Sequence, residues 1–200
     1  MRCEIDRWAI AGTHVLKSVT VPADLIVTID TDADLADDFA AVAAVTFPLA
    51  CPPGTTEADT AEHIARHLTA ARFREYLASP DHDVLAARID GVLVGYALVV
   101  HAEPTDPEVC ALVTASPVSE VSKMYVLPQA HGTGASHALM AESLRSAREH
   151  GSVATWLGVS NVNLRAQRFY SKMGFTQVGH KSFWLNGDEQ RDFVMLRPMD

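Results

Sequence analysis

Tyr125-Val-Leu-Pro-Gln-Ala-His131-Gly-Thr-Gly-Ala-Ser136 reads as a strand that ends at Pro128, a turn through two closely spaced glycines, and the opening of a helix. Gly132 and Gly134 lack a Cβ, so the turn can take dihedrals closed to other residues and a ligand can approach the backbone. The first amides of the helix carry no intrahelical partner and point at one spot, where the helix dipole also favours negative charge. A pyrophosphate suits such a spot. No lysine follows the turn, as a P-loop would require, and His137 stands where a dinucleotide fingerprint needs its third glycine.

A second block narrows the reading. Trp156-Leu-Gly-Val159 is an apolar strand, followed by Asn161-Val-Asn163 and then Ala166-Gln-Arg-Phe169-Tyr170-Ser-Lys172-Met-Gly174-Phe175. The spacing of the two blocks fits one intervening helix and strand. Together they resemble the GNAT N-acetyltransferases. His131 to Ser136 is similar to that family's Gln/Arg-x-x-Gly-x-Gly/Ala loop, with His131 at the Arg/Gln position and Ser136 at the last small one. The resemblance covers most of the chain after about Asp24. It implies one GNAT domain over 24–200, preceded by an extension over 1–23 that does not fit the pattern.

The fold implied is α/β: a mixed, mostly antiparallel central sheet, splayed between its fourth and fifth strands and flanked by about four helices. The cosubstrate implied is acetyl-CoA. Met124, Tyr125 and Val126 would bond its pantetheine arm as an added strand would. His131, Gly132, Thr133, Gly134, Ala135 and Ser136 would hold the pyrophosphate. Lys172 belongs to the same family motif and is carried over as a cofactor contact. Asn163 can bond the pantetheine arm or cap the next helix, a task for which Asn161 competes.

Composition sets outer limits. Two hundred residues suit one domain with a sizeable core. A formal net charge of −9 argues against a nucleic-acid partner and is compatible with a cationic acceptor. Cys3, Cys51 and Cys110 match neither a disulfide framework nor zinc spacing. No segment has the length of a membrane span, and the N-terminus lacks an apolar signal core, so the cytoplasm is the expected compartment. No metal is expected. His63 and His67 are four apart on a helix, but Ile64 stands where a metalloprotease has glutamate, so they read as a solvated face. Asp32, Asp34, Asp37 and Asp38 read as caps and solubility charges.

Local patterns order the elements. Leu25–Ile29 is a strand, and the acidic run after it caps a helix that turns Phe39, Val42, Ala43 and Val45 inward and stops before Pro48. One helix is expected over roughly Glu57 to Leu77. Strands over 83–88 and 92–100 flank Asp90-Gly91, a hairpin signal. Residues 103–117, with three prolines, read as loop. On the helix after the glycines, Met140, Leu144 and Ala147 share one face, and Glu142, Arg145 and Glu149 another. Two closing strands flank Asn186-Gly187.

Two residues are candidates for chemistry. Tyr170 has a phenol with an ordinary pKa of roughly 10, so it can deliver a proton to a departing thiolate at neutral pH. Glu120 alternates with Ser122 and Met124 along its strand and can face the same cleft as a base for the incoming ammonium. A finer resemblance bears on the acceptor. Trp156 to Val159, Asn163, Phe169-Tyr170, Lys172, Gly174-Phe175, Gly179, Phe183, Gly187-Asp188, Gln190, Asp192 and Met195 look like the second half of PaiA-type polyamine acetyltransferases. Ser160-Asn161 stands where that group tends to have Trp-Glu, and Ser122 where it tends to have a second glutamate. The implied acceptor is a small primary amine, polyamines first, and a homodimer is the candidate assembly. A protein α-amine or lysine is the alternative acceptor, and an idle acyl-CoA sensor the alternative class.

Overall fold

The computed structural model describes residues 24–52, 54–185 and 188–199, with the backbone alone for 183–185, 188 and 189. The extension over 1–23 and the Asn186-Gly187 turn lie outside the described residues. Seven strands form one sheet: β1 (Leu25–Asp30), β2 (His82–Ile89), β3 (Val92–Val100), β4 (Val118–Val126), β5 (Ala154–Ser160), β6 (Thr176–Leu185) and β7 (Asp188–Pro198). Their order is β1-β2-β3-β4-β5-β7-β6. Every neighbouring pair is antiparallel except β4 and β5. The implied α/β architecture is the one observed.

The helices are α1 (Ala36–Thr46), α2 (Glu57–His67), α3 (Ala70–Ala78), α4 (Pro107–Cys110), α5 (Ala135–Glu149) and α6 (Leu164–Lys172). The hairpin at Asp90-Gly91 is as expected: both residues have positive φ, 51° and 78°, which a two-residue turn between twisted strands favours. Three expectations need correction. Val45 is 55% exposed, whereas Phe39, Val42 and Ala43 are buried. Six residues beyond Phe39, Val45 sits about 120° around the helix and off the stripe. The single helix expected over 57–77 is two, because Leu68 turns into the core and Thr69 caps α3, accepting the Arg72 amide N–H at 3.3 Å. The loop over 103–117 contains α4, opened by Asp106 accepting the Glu108 N–H at 2.9 Å with Pro107 at the first helical position.

Helices cover both faces. On one, α1 and α3 bring Phe39 and Phe73 onto Tyr96 of β3, with ring centres 5.2–6.0 Å apart. On the other, Leu139, Met140, Leu144 and Ala147 of α5 are buried, and Arg145 forms ion pairs with Glu142 and Glu149 outside. No helix among the described residues is long and apolar enough to cross a membrane.

Candidate functional site

The sheet opens where β4 parts from β5. The two strands pair only over Val118–Glu120 and Ala154–Trp156, leaving the rest of β4 without a partner on that side. A bulge accompanies the parting: Val121 pairs with Val99 and Lys123 with Leu98, so Ser122 is the extra residue. Such a residue bends the strand and reverses its alternation. Glu120 therefore shares a face with Lys123 and Tyr125, not with Met124. Met124 instead packs beside Leu139 and Leu144 under α5. Farther along, the Leu127 N–H donates to the Val94 carbonyl at 2.8 Å. By the period of two, Met124 and Val126 turn their peptide groups away from β3 and into the gap.

The turn after β4 delivers the helix end that the sequence implies. Gly132 and Gly134 have φ of 85° and 93°, and Gly134, the N-cap of α5, has no side chain to cap it; of the first amides, the Ala135 N–H donates to Thr133 Oγ1 at 3.4 Å. A Cβ on Gly132 would meet nothing within 4 Å, so the loop is open above its backbone. His131 bonds the Val126 carbonyl through Nε2 at 3.1 Å. A carbonyl only accepts, so the hydrogen sits on Nε2 and ties the loop to the strand end. Thr133 turns inward, donating to the Ala130 carbonyl at 2.8 Å.

Two cavities meet at the parting. The first, about 370 Å³, runs over Met124, Tyr125, Val126, His131, Gly132, Gly134, Ala135 and Ser136 to Asn163 and Tyr170. The second, about 570 Å³, lies under α2 and holds Glu120, Lys123, His63 and Asp192. Met124, Tyr125, Asn163, Ala166 and Tyr170 line both. Tyr170 is half-buried, and burial pushes its phenol up to about 12. Burial also raises the Glu120 carboxyl above its ordinary value, opposed by Lys181, Lys123 and a hydrogen bond from Ser122. Asn163, rather than Asn161, caps α6, its Oδ1 accepting the Ala166 N–H at 3.1 Å. Lys172 is exposed at the end of α6 and lines neither cavity.

Several wall residues have no local signature in the sequence. Arg165 lines the first cavity. His63 and His67 line the second; His67 is exposed, as a solvated face implies, and His63 departs from that reading. His63 is half-buried, its ring stacked on Phe47 at 4.2 Å, and burial lowers its pKa to about 4. Across β6, β7 and β5, Lys181 is in register with Asp192, and Asp192 with Ser160. Away from both cavities, Asp83, His101 and His150 bring ligand-type atoms within 4.8 Å of one another. Here they join a hydrogen-bonded cluster. His101 Nε2 lies 3.2 Å from both Asp83 and Ser146, His101 Nδ1 lies 2.8 Å from Ser119, and Ser146 donates to Asp83. The His150 ring stacks on His101 at 3.5 Å.

The Acetyltransferase (GNAT) family profile matches residues 51–175. An uncharacterized N-acetyltransferase of Mycobacterium tuberculosis is 44% identical over 164 residues, which are 82% of this chain and 97% of the relative. PaiA N-acetyltransferase from Thermoplasma acidophilum, in complex with coenzyme A, shares the fold at a TM-score of 0.70 and 15% identity, over 88% of this chain and 99% of its own. YncA from Salmonella typhimurium, with its cofactor acetyl-CoA, does so at 0.60 and 19%, over 89% and 95%. The chain thus belongs to the GNAT family and is an acetyl-CoA-dependent acetyltransferase.

Proposed function

We propose that residues 24–200 form one catalytic domain that moves an acetyl group from acetyl-CoA directly to the primary amine of a small molecule. The observation that carries this reading is the meeting of two unlike cavities at Tyr170. One offers open strand backbone and a helix end with glycine at its N-cap, and the other a half-buried carboxylate. The first suits CoA: the α5 amides and the glycine turn take the pyrophosphate, and the peptide groups of Met124 and Val126 bond the pantetheine arm. Asn163 can cap α6 through Oδ1 while its NH₂ reaches the same arm.

The cosubstrate supplies a thioester whose sulfur leaves once an amine has added to its carbonyl carbon. Backbone N–H groups of β4 stabilise the charge that develops on the carbonyl oxygen. Glu120, when ionised, takes a proton from the incoming ammonium, directly or through water. Tyr170 keeps its proton well above neutral pH and gives it to the departing sulfur. Polyamines are the amines that the resemblance to PaiA-type enzymes puts first.

The test has two arms. CoA at about a hundred times its dissociation constant should stabilise the protein by roughly 2.7 kcal/mol, read as a rise in melting temperature. An amine panel with acetyl-CoA, followed by free-thiol release, should then find a small acceptor. A melting temperature indifferent to millimolar CoA would refute the reading. Acetylation of peptide N-termini in place of every small amine would move the enzyme to the protein-modifying class.

A further inference from the structure

We propose that the acceptor carries a carboxylate as well as its amine, so that the substrate is a zwitterion rather than a polycation. This deepens the reading above and rests on the second cavity being the acceptor site. The motivating observation is the cavity's charge. Glu120, Asp192, Lys123 and Lys181 line it, two anionic and two cationic side chains that cancel, within a chain of formal net charge −9. The sequence has four lysines, at positions 17, 123, 172 and 181, and two of them stand in this one wall. Solubility does not require cations there.

The lysines are placed to receive an anion. Among the described residues neither closes an ion pair within 4.0 Å. Lys123 Nζ lies 5.3 Å from the centre of the Tyr76 ring, and Lys181 Nζ lies 5.7 Å from that of Trp156. An aromatic face attracts an ammonium without using up its N–H donors on an oxygen acceptor. The route of Lys181 depends on Gly158. A Cβ there would come 2.8 Å from Lys181 Cε and 3.3 Å from Nζ, so a larger residue would make the end of that side chain shift. Lys181 is in turn opposite Asp192 in the β6–β7 register, so a cation and an anion face the cavity side by side.

A polyamine would add two or three ammoniums beside Lys123 and Lys181, where like charges repel. An amine with one carboxylate keeps the site neutral, its ammonium toward Glu120 or Asp192 and its carboxylate toward a lysine. A phosphate monoester would add a second negative charge and upset that balance. Discrimination of this kind combines an attractive contact with a repulsive one.

The test pairs each acceptor with its charge-removed twin. Amino acids and dipeptides are compared with their carboxamides, alongside 1,4-diaminobutane and spermidine, by thiol release from acetyl-CoA. Carboxylate forms should exceed their carboxamides about tenfold or more in kcat/KM, chiefly through KM. K123Q and K181Q should shrink that ratio, and K181R should keep more of it. The CoA-induced rise in melting temperature shows that each variant is folded. Faster turnover of spermidine or diaminobutane than of every carboxylate-bearing amine overturns the inference and leaves acetyl transfer standing. Equal rates for carboxylates and carboxamides, or CoA binding with no amine accepted, overturn it too. A parent protein that CoA does not stabilise brings down the reading beneath it.

Discussion

The cavity along β4 and α5 runs over an open strand edge and a glycine turn, whereas the cavity under α2 gathers charged and aromatic residues from α2, β4, β5, β6 and β7. In the first, the working parts are two glycines with φ of 85° and 93°, the helix end they open and a strand edge left open by the parting from β5. In the second they are His63, Glu120, Lys123, Lys181 and Asp192. In the first cavity His131 ties the loop to the strand end through the Val126 carbonyl, and the positive φ of Gly132 and Gly134 shapes the turn. Side-chain walls change with each substitution. On the proposed reading, the backbone features of the first cavity suit the cosubstrate, and the side chains of the second set the choice of acceptor.

The largest effect should follow from breaking the backbone wall. Gly134→Val forces a β-branched residue to a φ of 93° and fills the ligand's approach, so CoA affinity should fall by about a hundredfold. Calorimetric titration of the folded variant checks this, and parental affinity would break the contrast. Next comes the shared wall. Tyr170→Phe keeps the ring and removes the proton, so kcat should fall by roughly one to two orders of magnitude while CoA affinity holds. An unchanged kcat with chemistry shown to be rate-limiting would reduce Tyr170 to packing.

On the side-chain wall, Glu120→Gln should cost about tenfold at neutral pH. Burial raises the Glu120 carboxyl, and only its ionised form is a base, so the parent rate should climb as pH rises through that elevated value. The variant lacks this limb, and the gap should narrow at high pH, where free amine is already abundant. A constant ratio across the profile would deny Glu120 the role of base.

The smallest effect concerns stability. His63 is lowered to about 4 by burial first, then by His67 and Lys123. Its unfolded value is roughly 6.5, so below that pH the unfolded chain takes a proton that the fold refuses. Stability should be full above 6.5 and decline as pH falls toward 4. His63→Phe should flatten that decline in thermal melts between pH 7 and 4, leaving the part due to the lowered His82 and His101. An unaltered slope would place His63 outside the balance.

What the sequence made legible was local. The glycine turn, the hairpin at Asp90-Gly91 and the buried stripe of α5 each occupy a short run whose periodicity or turn chemistry is self-contained. The Asn163-to-Phe175 motif was legible by resemblance. The bulge at Ser122 was not, because it is defined by the register of β3 against β4, and strict alternation put Met124 on the wrong face. Lys181 gave no signal either, since its place depends on a glycine more than twenty residues earlier and on the β6–β7 pairing. The break at Leu68-Thr69 was not legible because α2 and α3 are both amphipathic, and burial of Leu68 together with the Thr69 cap separates them.

The cluster of Asp83, Ser146, His101 and His150 has a mechanical consequence. It bolts the last turns of α5 to β2 and to the end of β3, while Leu139 and Met140 seat the middle of the helix on the sheet. The helix is thus a beam clamped at its far end. At the near end Ala135 is buried, and His131 and Thr133 tie the loop to the Val126 and Ala130 carbonyls. An anion that settles on the amides of the first turn of α5 thus meets a helix end and a loop already held in place. The entropic penalty of association is correspondingly small.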